Sequence, residues 1–463
     1  MAQEYDRLFK IVALAFINAV MRVSGLEPGI IKIEYQEVFT EEAERGIMDF
    51  PVLTRSGHYI LFEFHSTPLT EKLLLRNFQY LANFRAKVDY PVELHIISIE
   101  KLKNPDNRPY LILMNHQTGF DQFFIAASFK GPIYYIATED IFSLGFLSRA
   151  LSWLVAPIPI KKQTMDIQAV KNCLKVAKEG GTIALAPEGN RTYSGKTEYI
   201  KPGIISLIKK LKLPIAIYRI EGGYGTMPRW SDVVRKGKMK SYVSRVIEPE
   251  EAKAMSNDEL YEVICNELYV DEAVADAEYH HKNLAEYMER MVYICPTCGF
   301  STFESHGDIV ECKKCGIKVR YLPTKELEGI GKEFPFKFAK NWYEYQNDTI
   351  NSMTIEDMKD KIDYTEKAGL WEVIVYKNKY KVADDQVITL KGDKITVGDD
   401  LVFDFEETDA VTMLGKNKVN IYYKNKVYQL KGNERFNGLK YVNVFNRYKN
   451  IREGNENVKF LGL

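Results

Sequence analysis

Apolar and polar positions follow three different rhythms along this chain. Near the start, FKIVALAFINAVMR (Phe9 to Arg22) places apolar residues at helical spacing for about four turns, which predicts a core helix too short to cross a bilayer. HYILFEFHS and VELHIISI read as buried strands around a helix, LLLRNFQYLANFRAKV, so residues 1–105 form an α+β segment. The turn cluster Asn104-Pro105-Asp106 closes it. From Pro109 onward, short apolar strands (YLILMNH, PIYYIAT, GTIALAP, PIAIYRI) alternate with helical stretches from Gln122 and after Pro202. That alternation predicts an α/β sheet with helices packed on it, over residues 106–290. The acidic stretch from Ser256 to Met291 reads as helical throughout. Beyond about Tyr364 the period becomes that of strands, among them LWEVIVYKN, KYKVADD and QVITL, and one helix, FNGLKYVNVFNRYKNI, closes an all-β segment over 350–463.

Composition changes this picture in three ways. The chain has 463 residues, 63 Lys and Arg against 63 Asp and Glu, and hence no net charge. The neutral sum conceals a basic segment at 106–250 and an acidic one at 251–290. A basic body favours anionic substrates or an anionic membrane face. Six cysteines in this length exclude a secreted disulfide scaffold, and 46% hydrophobic residues exclude general disorder. No apolar run reaches the ~18 residues of a spanning helix. MAQEYDRLFK carries acids where a signal peptide carries a basic region. The expectation is a cytoplasmic protein, peripheral on the inner face of the cell membrane. IFSLGFLSRALSWLVAPIPI (141–160) reads either as an interfacial segment or as a core helix and strand, and its basic surroundings favour the interface.

Candidate chemistry sits at strand ends. Asn115-His116-Gln-Thr-Gly-Phe-Asp121 follows the strand YLILM. A carboxylate five residues on can hold one imidazole nitrogen and leave the other to accept a proton, although Asp121 also suits a helix start. Ala186-Pro-Glu188-Gly189-Asn-Arg191 follows TIALA, and a glycine between one acid and one guanidinium suits a phosphate and its neighbouring hydroxyls. Lys161 and Lys162 end an apolar stretch, and Glu221 to Gly225 follows the strand at Pro214. In this order and spacing the four blocks resemble the glycerolipid acyltransferase family, with its NHxxxxD, basic, FPEGxRS and VPI motifs. NHQTGFD matches in full. APEGNRT departs at Ala186 and Thr192, and the family's usual arginine is absent near Lys161 and Lys162.

The resemblance implies an acyltransferase that moves an acyl group from acyl-CoA or acyl carrier protein to a lysophospholipid of the lysophosphatidic acid type. His116 would be the general base and Asp121 its orienting partner. Glu188, Gly189 and Arg191, with Lys161 or Lys162, would bind the acceptor. No acyl-enzyme is implied, in keeping with the absence of a Ser or Cys nucleophile beside His116.

Two CxxC pairs, Cys295/Cys298 and Cys312/Cys315, lie about 13 residues apart, each followed by a glycine. Four thiolates at this spacing predict a closed structural zinc site in a ribbon over 291–322. Cys173 and Cys265 read as buried helix positions. In the first segment Asp49, Glu63 and His65, with a Tyr5-Asp6 start, resemble the PD-(D/E)XK nuclease-like proteins. That resemblance implies a Mg²⁺ site if active, but His65 stands where Lys or Gln is usual, and a slightly acidic segment argues against nucleic acid as a partner. The C-terminal strands with their closing helix resemble a PH/GRAM-like barrel, which implies a lipid headgroup or partner site. The competing function is therefore a Mg²⁺-dependent nuclease or nucleic-acid binder built from the first segment and the ribbon.

Overall fold

The structure is a computed structural model that describes residues 30–33, 50–54, 59–65, 92–98, 108–129, 132–138, 157–160, 167–374, 378–455 and 457. Phe9 to Arg22, Asp49, Lys161, Lys162 and nearly all of 141–160 lie outside the described residues. The chain divides into two units, residues 1–108 with 120–131, and residues 109–119 with 132–463.

The first unit holds a four-stranded sheet of β1 (Ile30–Ile33), β2 (Phe50–Thr54), β3 (Tyr59–His65) and β4 (Val92–Ser98), in that order. β1, β2 and β3 are antiparallel, with Phe50 opposite Phe62, whereas β3 and β4 run parallel. Glu63 and His65 fall on β3. The same unit contains helix α1 (Asp121–Ser128), whose first turn carries Asp121.

The second unit opens on a six-stranded sheet. Its strands are β5 (Leu111–Met114), β6 (Ile133–Thr138), β7 (Ile158–Ile160), β8 (Thr182–Leu185), β9 (Ile215–Glu221) and β10 (Lys240–Ile247), in the order β10-β9-β5-β8-β6-β7. β5 to β9 are mutually parallel and β10 is an antiparallel edge. LILM and TIAL are buried at every position, as central parallel strands covered on both faces require. Helix α2 (Ile167–Lys178) buries Ala169 and Cys173 four residues apart and turns its lysines outward. Helix α3 (Ile204–Leu211) buries Ile205, Ile208 and Leu211 by the same spacing. After the four-residue turn of helix α4 (Gly223–Thr226) and the short α5 (Pro249–Ala254), helix α6 (Asn257–Leu268) seals the sheet with Leu260, Ile264 and Leu268. A Ser256/Glu259 capping box starts α6. Cys173 is buried as expected, whereas Cys265 is only half-buried.

The acidic stretch departs from its expected form. It is helical only to Leu268, and apart from a 3-10 turn at Met288–Arg290 the rest is extended or bent. Distant loops capture its backbone: Thr197 N–H donates to Val270 O at 2.9 Å, Glu272 N–H to Gly195 O at 3.0 Å, and His280 N–H to Lys236 O at 2.8 Å. Groups engaged in this way cannot close i to i−4 bonds.

Two knuckles follow. β11 (Ile294–Cys295) pairs with β12 (Gly299–Phe300), and β13 (Phe303–His306), β14 (Ile309–Cys312), β15 (Lys318–Tyr321) and β16 (Leu327–Ile330) form an antiparallel ribbon. Helices α7 (Ala339–Asn351) and α8 (Ile355–Lys361) lead into a seven-stranded antiparallel sheet. It comprises β17 (Asp363–Ile374), β18 (Asn378–Lys391), β19 (Lys394–Val397), β20 (Leu401–Asp404), β21 (Thr408–Leu414), β22 (Lys418–Tyr423) and β23 (Lys426–Gly432), in the order β20-β19-β18-β17-β23-β22-β21. KYKVADD and QVITL, expected as two strands, form the single strand β18, because a register shift against β17 near Asp385, whose φ is 47°, absorbs the break. The closing helix α9 (Leu439–Arg452), which the sequence pattern predicts, packs on β21. One apolar core runs from Tyr193 and Trp230 through the ribbon to Tyr448.

Candidate active site and cysteine cluster

Strand order brings the ends of β5, β8 and β9 together. β5 lies between β8 and β9 and runs parallel to both, so the residues after all three strands emerge at one edge of the sheet. The chain from β5 next enters the sheet on the β8 side, and the chain from β9 next enters on the opposite side. A crevice between strands whose connections part in this way is where open α/β sheets hold ligands.

Asn115 fixes the first block. Its amide nitrogen donates to Ile220 O at 2.8 Å and its oxygen accepts from Ile220 N–H at 2.7 Å, both fully buried. The side chain thus acts as one more ladder rung between β5 and the end of β9. Beyond it, a Cβ on Gly223 would stand 2.6 Å from Gln117 Cβ and 3.0 Å from Thr118 Cγ2, so only glycine lets the turn after β9 approach this loop. His116 is half-buried. Asp121, five positions along, is fully buried at the head of α1.

Glu188 ties the first block to the second. One carboxylate oxygen accepts from His116 N–H and the other from Glu198 N–H, each at 2.7 Å. Thr192 N–H returns a bond to His116 O at 3.1 Å. Expected as an acceptor ligand, Glu188 therefore has both oxygens engaged by backbone amides. Gly189 makes the turn with φ of +73°. Arg191 lies beside the first loop: a Cβ on Gly119 would be in ordinary contact with its Nη1, at 3.8 Å.

Several groups around this loop escape motif reading. Glu198 Oε1 accepts from the Thr192 hydroxyl at 3.3 Å and from Tyr193 N–H at 3.4 Å. Burial pushes its carboxyl up, while those donors and the Arg229 and Lys196 charges pull it back. Arg229, buried, donates to Arg191 O at 2.8 Å and lies 4.2 Å from the Tyr193 ring centroid. Asp232 accepts from Arg290 Nη2 at 2.8 Å and from Lys416 Nζ. Burial opposes its ionisation, but those two cations outweigh it and hold the carboxyl down to about 2. Arg229 lies 38 residues from Arg191, and Asp232 lies 58 and 184 residues from Arg290 and Lys416, so neither leaves a local sequence signal.

The sulfurs of Cys295, Cys298, Cys312 and Cys315 lie within 4.8 Å of one another, with Cys295–Cys315 and Cys298–Cys312 each at 3.6 Å. A tetrahedron of Zn–S bonds of ~2.3 Å has edges of about 3.8 Å, so the four thiolates fit zinc. Gly299 and Gly316, at φ of 75° and 73°, turn the two knuckles. Thr297 N–H points at Cys295 Sγ at 3.4 Å, and the Ser301 hydroxyl lies 3.1 Å from Cys312 Sγ. Such outer contacts orient ligands. When bound, the ion would supply folding energy, since four protein ligands leave no open position for catalysis.

Residues 94–220 match the family model described as Acyltransferase. Residues 288–323 match a zinc-ribbon model described as the 7 kDa subunit of DNA-directed RNA polymerase. Neither match reaches Asp49, Glu63 or His65. The chain is 24% identical over 187 residues to the chloroplastic 1-acyl-sn-glycerol-3-phosphate acyltransferase LPAT1 of Arabidopsis thaliana, covering 39% of this chain and 51% of that protein. It is 26% identical over 137 residues to the 1-acyl-sn-glycerol-3-phosphate acyltransferase of Pseudomonas aeruginosa, covering 29% and 52%. This chain thus spans about half the length of the curated relatives it matches. Among solved structures, the 1-acyl-sn-glycerophosphate (LPA) acyltransferase PlsC of Thermotoga maritima is 21% identical, covering 35% of this chain and 64% of that one, at a TM-score of 0.30.

Proposed function

We propose that this chain, whose residues 94–220 match the Acyltransferase family model, transfers a fatty acyl group from an acyl thioester to the hydroxyl of a lysophosphatidic acid-type acceptor. The carrying observation is the double tie of Glu188, which holds the His116 loop and the Arg191 loop at fixed separation. A base and an anion-binding group held in that way position an acceptor hydroxyl and its phosphate together.

In this reading His116 takes the proton from the acceptor hydroxyl, and Asp121 sets its tautomer and steadies the imidazolium. The freed oxygen attacks the thioester carbonyl, the C–S bond breaks, and the departing thiolate takes the proton from His116. Arg191 binds the acceptor phosphate in a forked, charge-assisted contact. Glu188 acts through the two loops it ties, since a carboxylate placed against phosphate would repel it. Gly189 provides the turn, and Lys161 or Lys162 adds positive charge. The donor is acyl-CoA or acyl carrier protein, and the acceptor is met at an anionic membrane surface on the cytoplasmic side. Among the described residues no helix is long and apolar enough to cross a membrane.

The test is acyl transfer from labelled acyl-CoA and acyl carrier protein donors to lysophosphatidic acid. His116→Ala should lose about 10²- to 10⁴-fold in rate at an unchanged melting temperature. A folded His116→Ala protein with full activity would overturn the assignment.

A further inference from the structure

We propose that Arg229 is a positioning residue for Arg191: from outside every motif block, it fixes the backbone that carries the phosphate-binding guanidinium. The proposal rests on the reading of Arg191 given above and adds a residue to it.

Arg229 meets the loop directly at two residues, Arg191 and Tyr193. It donates to Arg191 O at 2.8 Å and covers the Tyr193 ring at 4.2 Å. Through its charge it faces Glu198, which in turn accepts from the Thr192 hydroxyl and the Tyr193 amide. Tyr193 also stacks on Tyr343 of α7, with ring centroids 6.3 Å apart and planes 15° from parallel. A buried guanidinium is costly unless its donors are used, and its planar fork cannot swing as a lysine can. The loop at 191–193 is therefore held by a buried cation and a stacked ring.

Arg229 is itself anchored from elsewhere in the same unit. The next residue, Trp230, offers its carbonyl to Arg290 Nη1 at 3.0 Å. Ser231 O accepts from Lys416 Nζ at 2.6 Å, and the Asp232 carboxylate joins both cations. Arg290 precedes the ribbon, and Lys416 sits in the turn between β21 and β22. An arginine that merely stabilised the fold would need none of this registration against the Arg191 carbonyl.

The experiment uses the full chain carrying Arg229→Met, Arg229→Lys or Glu198→Gln, with Arg191→Ala as reference. Two quantities are read: steady-state transfer from oleoyl-CoA to 1-oleoyl lysophosphatidic acid, and calorimetric titration of glycerol 3-phosphate. Arg229→Met should raise the acceptor KM and the glycerol 3-phosphate Kd at least about tenfold, leaving kcat and donor KM within about threefold. Arg229→Lys should recover part of that loss, and Glu198→Gln should raise both acceptor constants about threefold or more. A folded Arg229→Met protein with unchanged acceptor constants overturns the proposal, as does an equal loss in kcat and both KM values. If Arg229→Met does not fold, the other two variants decide by the same criteria. If wild type binds glycerol 3-phosphate through Arg191 yet transfers no acyl group, the activity reading fails and positioning is still decided by the Kd shifts. If Arg191→Ala leaves that binding unchanged, or wild type shows none, Arg191 is not the phosphate ligand and the proposal falls with it.

Discussion

At the scale of single residues, the polar groups that organise the site work mostly through backbone. Asn115→Ala would leave both backbone groups of Ile220 unpaired in a fully buried place and should cost about 2–3 kcal/mol, measured as a fall in denaturation midpoint. Glu272 makes a pH-dependent contribution of the opposite kind. Its Oε1 accepts from Gly222 N–H beside the turn after β9, and its Oε2 is buried with no hydrogen-bond partner among the described residues. Burial pushes the carboxyl up to about 7, against the pull of the Gly222 amide and Lys325. The unfolded chain releases this proton near 4.5 and the folded chain only near 7. Stability therefore declines as pH rises between those values and levels off above them, by at most about 3 kcal/mol. Urea midpoints at pH 5 and pH 8 should show a larger decline in wild type than in Glu272→Gln.

At the scale of elements, strands and motifs were legible where local pattern decides. LILM, TIAL and IAIYRI could only be buried strands, and NHQTGFD and APEGNRT follow two of them. The cysteine spacing likewise foretold a cluster whose sulfurs now lie 3.6 Å apart in two pairs. What stayed hidden depends on partners far along the chain. The Ser256-to-Met291 stretch has helical composition, but Thr197, Gly195 and Lys236 claim its backbone beyond Leu268. Glu188 reads as a ligand from its neighbours, a glycine and an arginine, whereas its bond to the His116 amide is visible only once β5 and β8 lie side by side. The ribbon gives an element-scale prediction. Gln346 of α7 accepts from Tyr293 and Ile294 N–H at 2.6 and 2.9 Å, and Trp342 donates to Ile294 O at 2.8 Å, so the first knuckle is joined to the helix. Elemental analysis should find one zinc per chain. Chelation should lower the melting temperature by about 10 °C or more and weaken the packing of α7 in the same transition. A metal-free chain with the same melting curve would rule out the structural role.

At the scale of the larger unit, the segments that read as separate modules meet in one apolar cluster, to which Tyr193 and Trp230 belong, and share one set of charges. Asp232 is the node, bound by Arg290 before the ribbon and by Lys416 from the C-terminal sheet. Asp232→Ala should cost about 2–3 kcal/mol, because Arg290 is almost wholly buried and would lose its carboxylate. Pairing that change with Lys416→Ala in a double-mutant cycle should give a coupling of about 1 kcal/mol or more. Simple additivity would mean the contact is incidental.

That bridge also bears on descent. Three stretches of chain that could each be copied or exchanged as a gene segment meet at a single carboxylate. Replacing the C-terminal sheet with an unrelated one would strand Asp232 without Lys416, and grafting the segment of the six-stranded sheet alone would expose the Trp230 face. Surviving variants of this architecture should therefore inherit the three segments together, with changes at 232, 290 and 416 arising as matched sets.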